Sequence, residues 1–225
     1  MSDTNDILRE QLAYYRARAQ EYDESVQQTG RFVGHDIPGL DQEWDRLTQA
    51  VRSLSPCEQV LELACGTGIW TQELLQVGTR ITALDGAPEM LGINRKKLAN
   101  SRVRYQQKDL FEWTPHRAYD LVFFAFWLSH VPPALLDEFL SKVARAVRPG
   151  GRVFMLDEPS GGSQLSGPVE EGIYQTRAVY SGGTFRVVKA YYDSTLLEEK
   201  LRHYGFAQIE SWKGMNFFYL TGTQT

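Results

Sequence analysis

The sequence predicts an α/β fold in which a mostly parallel sheet is covered by helices on both faces. From residue 58 onward, short apolar runs alternate with amphipathic segments, which is the pattern of βαβ units. The run LVFFAFWL at 121–128 has no polar alternation, as is typical of a central parallel strand buried on both faces. The length of 225 residues fits a single domain, residues 1–225, with one hydrophobic core.

Two amphipathic helices are predicted before the sheet. Apolar residues recur at spacings of three and four along each of them, which places them on one helical face. On the first helix, within residues 6–26, they are Leu8, Leu12, Tyr15, Ala19 and Tyr22; on the second they are Leu40, Trp44, Leu47, Val51 and Leu54. We expect these helices to form an N-terminal cap, residues 1–55.

The core of the domain, residues 56–158, carries the alternating pattern. The predicted strands are 58–64, 80–85, 102–107, 119–126 and 151–157, and the predicted helices are 69–77, 87–99 and 133–147. The RPGG segment at 148–151 is a strong helix stop before the fifth strand.

The C-terminal part breaks this rhythm and then resumes it. Residues 159–192 contain the linker-like segments PSGGSQLSG and SGG, and they predict an insertion or lid outside the regular sheet. Residues 193–225 predict a helix at 194–204, with Asp193 or Ser194 as its cap, and strands at 206–213 and 216–222 joined by a tight KGMN turn. Such a terminal hairpin implies one antiparallel strand.

Composition excludes several classes of function. A net charge of −4 gives no electrostatic footprint for nucleic acid, so we expect no nucleic-acid partner. Cys57 and Cys65 would lie about 26 Å apart along a strand at roughly 3.3 Å per residue, so we expect free thiols in a reducing compartment. The acidic N-terminus and the short 121–128 run predict neither a secretory signal nor a membrane span, which favours a soluble cytoplasmic protein.

The segment VLELACGTGIW, residues 60–70, is a hydrophobic strand that runs into a glycine loop, as in many nucleotide-binding proteins. A dinucleotide fingerprint needs a third glycine, and that position holds Thr71. Glu62 lies in the strand before the loop, where a carboxylate would repel a pyrophosphate and attract a cation. The loop therefore favours a positively charged nucleoside over a dinucleotide.

The next two strands also end in acids. Asp85 follows the strand at 80–85, and Asp109 follows the strand at 102–107. In an open α/β sheet, ligands bind outside the carboxyl ends of the strands, so we expect these carboxylates and Glu62 to face one crevice. Asp85 is in the position that accepts both ribose hydroxyls, and Asp109 would reach an adenine edge.

In these motifs the chain resembles the class I S-adenosylmethionine-dependent methyltransferases of the small-molecule type, from about residue 12 to the C-terminus. VLELACGTG, ALDGAPEML, QQKDLFEW and YDLVFFAFWLSHVP are similar to the four successive motifs of the family, in order. The resemblance implies a Rossmann-like, doubly wound seven-stranded sheet of order 3-2-1-4-5-7-6 with strand 7 antiparallel. It also implies S-adenosyl-L-methionine as cofactor, S-adenosyl-L-homocysteine as product, and no metal.

The resemblance also assigns the cofactor site. Glu62 would help to hold the ammonium group, Asp85 the ribose, and Asp109 the adenine amine edge, while an aromatic residue of the leading helix closes over the cofactor. The full set of predicted cofactor contacts is Tyr15, Glu62, Ala64, Gly66, Gly68, Asp85, Gly86, Met90, Asp109, Leu110 and Phe126.

Candidates for catalysis and acceptor binding are less specific. His130, after the central strand, could accept a proton as the methyl group arrives, or it could simply begin the next helix. Glu158, after the fifth strand, could bind or deprotonate the acceptor, or it could be structural. The predicted acceptor contacts are Trp127, His130, Tyr174 and Tyr180.

The sequence thus predicts methyl transfer to an oxygen or nitrogen of a small hydrophobic or aromatic molecule, by a monomer or homodimer. One alternative is a non-catalytic module that binds S-adenosylmethionine. A nicotinamide-dependent oxidoreductase is disfavoured, because the third glycine and any Tyr-x-x-x-Lys pair are missing. The SHVPPA segment is also atypical of enzymes that methylate the amino groups of nucleic-acid bases.

Overall fold

The computed structural model describes residues 2–29, 37–115, 118–159 and 172–225. Its main sheet has seven strands: β1 (Cys57–Leu63), β2 (Gly78–Asp85), β3 (Val103–Gln107), β4 (Tyr119–Ala125), β5 (Val147–Asp157), β8 (Phe206–Lys213) and β9 (Phe218–Gln224). Their order is β3-β2-β1-β4-β5-β9-β8. The first five strands pair in parallel, and β9 pairs antiparallel with both β5 and β8. The predicted fold class, strand order and antiparallel last strand are therefore confirmed.

Helices cover both faces of this sheet. They are α1 (Ser2–Ala17), α2 (Tyr22–Val26), α3 (Leu40–Arg52), α4 (Ile69–Leu74), α5 (Pro88–Leu98), α6 (Pro133–Ala146) and α7 (Ser194–His203). The continuous first helix suggested by the periodicity is interrupted, because the chain leaves α1 through a short 3-10 turn, Ala19–Glu21, before α2. Of the helices described, none has the length and apolar character needed to cross a membrane.

The core lies on both sides of the sheet, and β4 shows why. Leu121 and Phe123 point to one face, and Val122 and Phe124 point to the other, with all four side chains inaccessible to solvent. Successive strand residues alternate between faces, so an uninterrupted apolar run serves both cores at once. Burying each phenylalanine contributes roughly 1.5–3 kcal/mol.

A second, two-stranded sheet lies within the predicted insertion. It consists of β6 (Tyr174–Ala178) and β7 (Thr184–Val188), which pair antiparallel. Helix α1 covers the free edge of β7: the backbone N–H of Arg186 donates to Glu10 (2.7 Å), and that of Val188 donates to Gln11 (3.0 Å). Residues 160–171 of the predicted insertion lie outside the described residues.

The turn between β8 and β9 is held by α3. The buried Glu43 carboxylate accepts hydrogen bonds from the consecutive backbone N–H groups of Met215, Asn216 and Phe217, at 2.8, 2.9 and 3.0 Å. These bonds satisfy three backbone donors, and they fix the N-terminal cap to the C-terminal hairpin.

Candidate active site

A cleft lies at the carboxyl ends of strands β1 to β4, under the N-terminal cap. Its floor comes from the segments that follow these four strands, and its roof comes from α1 and α2. The lining residues are Leu8, Gln11, Leu12, Tyr15, Tyr22, Ala64, Gly66, Asp85, Gly86, Met90, Asp109, Leu110, Phe111, Ala125, Phe126 and Trp127. The cleft thus lies where parallel strands are expected to present a ligand site.

Most of the cofactor contacts predicted from the sequence meet in this cleft. They are Tyr15, Ala64, Gly66, Asp85, Gly86, Met90, Asp109, Leu110 and Phe126. Glu62 and Gly68 are not among the lining residues, and neither the motif spacing nor the resemblance indicated the contribution of Leu8, Gln11 and Phe111. Apart from Tyr15, the residues of α1 were predicted only to lie on a helix, because a helical pattern does not show what the helix covers.

The glycine loop after β1 is shaped by its backbone. Gly68 has a φ of +92°, and a Cβ atom there would lie 2.5 Å from the Asn94 side chain, so both conformation and space require glycine. Gly66 has a φ of +52°, and nothing lies within 4 Å of its missing Cβ, which leaves room for a ligand.

Asp85 organises the same loop from the end of β2. Its carboxylate accepts the backbone N–H of Gly66 at 2.9 Å and that of Ala87 at 2.8 Å. Burial raises the pKa of Asp85 to about 6, although these backbone donors act in the opposite direction. The carboxylate therefore links the first two strand ends before any ligand is present.

Glu62 occupies a different place from the one predicted. Its side chain is buried behind the loop, where it accepts a hydrogen bond from the Thr71 hydroxyl at 2.6 Å. The Asn94 side chain donates a hydrogen bond to the same hydroxyl at 2.9 Å and accepts one from the Tyr105 hydroxyl at 2.8 Å. Burial raises the pKa of Glu62 to about 8. Thr71, which stands at the missing third glycine, thus belongs to a buried network that supports the loop.

The cap is attached to the floor of the cleft by ion pairs. Arg16 of α1 forms a bidentate pair with Glu89 of α5, with a shortest N–O distance of 2.9 Å. Asp23 of α2 contacts both Lys97 of α5 and the Thr67 hydroxyl of the glycine loop. These contacts hold the aromatic side chains of the cap over the loop.

His130 lies beside the cleft and not in its lining. Its ring is buried at 3% exposure, with Nε2 at 2.6 Å from the Tyr15 hydroxyl and Nδ1 at 2.7 Å from the Val188 carbonyl oxygen. Burial, together with the nearby Lys189 and Arg177, lowers the pKa of His130 well below its usual value. Tyr15 therefore separates the imidazole from the cleft.

The other candidates from the sequence lie further away. Glu158 forms a buried ion pair with Lys189 at 2.7 Å, and Lys189 also donates to Ser129 at 3.1 Å. Tyr180 is 73% exposed, and neither it nor Tyr174 is among the residues that line the cleft. The sequence suggested these tyrosines because of aromatic composition alone, which does not determine where a hairpin directs its side chains.

Trp127 does line the cleft, at the end of β4. Its indole N–H is buried and has no hydrogen-bond partner among the described residues. A buried donor normally has a partner, so this group is suited to an oxygen or nitrogen of a bound molecule.

Comparisons with known proteins agree with this geometry. A family model described as "Methyltransferase domain" matches residues 60–151. The demethylmenaquinone methyltransferase of Tropheryma whipplei (strain Twist) is 30% identical over 120 residues, which cover 52% of this chain and 48% of that protein. The malonyl-[acyl-carrier protein] O-methyltransferase of Serratia marcescens is 31% identical over 174 residues, with coverages of 74% and 60%. The chain spans about half the length of the first curated relatives it matches.

A solved structure matches over nearly the whole chain. The DhpI-SAM-HEP complex superposes with a TM-score of 0.80 and 35% sequence identity, and the match covers 96% of this chain and 97% of that one. This agreement extends from the cap through the terminal hairpin, so it includes the roof of the cleft as well as its floor. The chain therefore belongs to the class I S-adenosylmethionine-dependent methyltransferases, and the cofactor of its family is S-adenosylmethionine.

Proposed function

We propose that the protein transfers the methyl group of S-adenosylmethionine to an oxygen or nitrogen of a small, hydrophobic or aromatic molecule. One observation carries this proposal. The same cleft is lined by the acids at the ends of β2 and β3, by the open glycine loop and by the aromatic residues that follow β4. These features together suit a nucleoside that carries a cationic sulfonium and an apolar methyl acceptor beside it. We expect no metal in this cleft, and the acidic net charge supports the exclusion of nucleic acid as a partner.

The strand ends define how the cofactor would bind. Asp85 would accept the ribose hydroxyls, Met90 and Leu110 would enclose the adenine, and Asp109 would face its amine edge. Gly66 would allow the methionine part to approach the loop, because no atom lies within 4 Å of its missing Cβ. When bound, S-adenosylmethionine supplies an electrophilic methyl group on a positively charged sulfur.

The acceptor would lie between the cap and the end of β4. Phe126, Trp127 and Leu8 give that part of the cleft its apolar wall, while Tyr15 and the Trp127 indole N–H supply the polar groups. Few polar groups in an apolar pocket orient a small ligand without the cost of burying many unpaired atoms. The chain thereby aligns the nucleophile with the methyl carbon and excludes water, which is the main demand of an in-line displacement.

Two further expectations concern the redox environment of the protein and its oligomeric state. Cys57 and Cys65 are both free thiols, which supports a reducing, cytoplasmic environment. We also expect the protein to act as a monomer or a homodimer.

The proposal is tested first by calorimetry with S-adenosylmethionine, S-adenosylhomocysteine and NADH, and then by release of S-adenosylhomocysteine in a panel of phenols, amines and carboxylates. We expect binding of the two adenosyl compounds, no binding of NADH, and turnover with phenols or amines. Absence of adenosyl binding would overturn the proposal. Binding without turnover in a broad panel would favour the non-catalytic module, and NADH binding would favour an oxidoreductase.

A further inference from the structure

Two hydrogen bonds fix the orientation of the buried His130 ring. One joins Nδ1 to the Val188 carbonyl oxygen at 2.7 Å, and the other joins Nε2 to the Tyr15 hydroxyl at 2.6 Å. Gln11 holds the same turn by donating to the His130 carbonyl at 3.2 Å, while it accepts the Val188 N–H at 3.0 Å. Helix α1, the turn after β4 and strand β7 therefore meet at this imidazole.

These partners determine where the protons are. A carbonyl oxygen has no proton to give, so Nδ1 must donate to Val188. His130 is neutral, because burial together with the positive charges of Lys189 and Arg177 lowers its pKa well below the usual value. A neutral imidazole carries one proton, so Nε2 is a bare acceptor and Tyr15 donates to it.

Tyr15 lines the cleft, and its hydroxyl proton is directed to His130 and not to a molecule bound there. Burial raises the pKa of Tyr15, so the side chain stays a phenol, and its hydrogen is directed to His130. The remaining lone pairs of the oxygen are the part of this group that a molecule in the cleft can use. A hydrogen-bond acceptor in an otherwise apolar wall binds a molecule that brings an O–H or N–H group.

We propose that Tyr15 is a catalytic residue that accepts the proton of the methyl acceptor, that His130 is the positioning residue behind it, and that the acceptor is a neutral hydroxyl or amine compound. This inference rests on the proposed function, since it assigns the acceptor chemistry of the same cleft. It also reassigns Tyr15, which the sequence placed only against the cofactor.

The proposed step balances in atoms and charge. A lone pair of the acceptor oxygen or nitrogen forms the bond to the methyl carbon, and the carbon–sulfur bond breaks with its electron pair moving to sulfur. The acceptor proton moves to the Tyr15 oxygen while the Tyr15 proton moves to Nε2 of His130. The sulfonium thus becomes a neutral thioether, and one positive charge passes to the imidazole.

The charged surroundings limit how long that proton stays. Lys189 after β7, Arg177 on β6 and Arg18 after α1 all act against an imidazolium at His130. Arg177 and Arg18 also stabilise negative charge on the Tyr15 oxygen. Of the neighbouring acids, Glu158 is paired with Lys189, and Asp157 accepts the backbone N–H of Ser129. As the product leaves, His130 therefore returns its proton to Tyr15 while Tyr15 releases the proton taken from the acceptor to water, and the resting hydrogen-bond pattern is restored.

The activity test compares Tyr15→Phe with the wild type on acceptors of graded acidity. For acceptors that are protonated at the assay pH we expect kcat to fall by about 10²–10⁴-fold, the range for loss of a general base. For phenols that are already ionised we expect little change, because no proton has to be removed. The affinity for S-adenosylhomocysteine, measured by calorimetry, should stay the same. An equal loss with all acceptors, or a weakened affinity for S-adenosylhomocysteine, would overturn the inference.

Two variants separate catalysis from packing. His130→Asn keeps a donor for the Val188 carbonyl and removes the acceptor for Tyr15, so it should reproduce the selective loss with protonated acceptors. Tyr204→Phe is the control for loss of a tyrosine hydroxyl, because the Tyr204 hydroxyl donates to the Asp137 carbonyl oxygen at 3.0 Å and Tyr204 does not line the cleft. We expect normal kcat in this variant.

A measurement without turnover keeps the inference testable for any acceptor. Imidazole ¹⁵N NMR of the folded protein should show His130 protonated on Nδ1 and unprotonated on Nε2 around neutral pH. A proton on Nε2 would refute the arrangement on which the proposal depends. Failure of S-adenosylmethionine to bind would instead refute the proposed function, so the two failures are distinguishable.

Discussion

The affinity for S-adenosylhomocysteine should decrease as the pH falls below about 6, because the role proposed for Asp85 is to bind the ribose as a carboxylate. Burial raises the pKa of Asp85 from 3.8 to about 6 in the free protein. Below that pH Asp85 is protonated, and it must lose its proton before it can accept hydrogen bonds from both ribose hydroxyl groups. The dissociation constant should therefore be about elevenfold higher near pH 5 than on the plateau near pH 7.5, a difference of roughly 1.4 kcal/mol.

The raised pKa of Asp85 also makes the stability of the folded protein depend on pH. Since the folded-state pKa is the higher one, the stabilising contribution of Asp85 is fully present below about 3.8 and is lost as the pH rises through about 6. The unliganded protein therefore carries a buried carboxylate above pH 6, and a ribose that donates two hydrogen bonds offsets that cost. The increase in melting temperature on ligand binding should accordingly be larger near pH 7.5 than near pH 5.

Calorimetric titration between about pH 5 and pH 7.5, with Asp85→Asn as the comparison, tests this prediction. The amide cannot ionise, so its dissociation constant should be independent of pH and weaker than wild type near pH 7.5. Losing two charge-assisted hydrogen bonds costs about 3 kcal/mol, which corresponds to roughly a hundredfold. Asp120→Asn is the matched control, because Asp120 pairs with Arg148 at the opposite end of the sheet. A wild-type affinity that stays constant over this range would refute the placement of the ribose.

Three further predictions concern the fold around the site. Gly68→Ala should lower the free energy of unfolding by about 1–3 kcal/mol, measured by denaturant unfolding. Gly66→Ala should lower it by less, because both glycines have a left-handed backbone but only at Gly68 would the added Cβ meet another side chain. Glu43→Gln should cost about 2–4 kcal/mol by the same assay, since three backbone donors depend on that carboxylate. Lys189→Met should cost about 3–5 kcal/mol by removing the buried ion-pair partner Lys189 from Glu158, and Lys189→Met combined with Glu158→Gln should recover part of the loss. A double variant no more stable than Lys189→Met would contradict that account.

The sheet was predictable because its signals are local. Strands β1, β2, β3 and β5 each follow a helix, β4 is marked by its apolar run, and the strand order follows from the resemblance. The boundary of β5 was predicted less well: the strand starts at Val147 and includes the RPGG segment, which was interpreted only as a helix stop. In the structure this segment continues the strand past an irregularity in the β4–β5 register between Tyr119 and Leu121.

Glu62 shows where reasoning from charge alone was insufficient. The sequence correctly placed an acid before the glycine loop, and charge complementarity suggested that it faced the ligand. Strand alternation decides otherwise: Leu61 and Leu63 pack into the core on one face, and Glu62 points to the other face with Val60. There it meets Thr71 of α4, so its carboxyl group supports the loop from behind.

The sequence by itself determined the α/β class, the strands, the glycine loop and the acids that end β2 and β3, because hydrophobic periodicity and strand ends are properties of neighbouring residues. Only the tertiary structure decided which side chains from distant parts of the chain meet beside the cleft. Tyr15 and His130 are 115 positions apart in sequence, and His130 and Val188 are 58 apart. Such pairs form because α1 and the β6–β7 hairpin pack against the end of β4, and no local pattern in the chain specifies that packing.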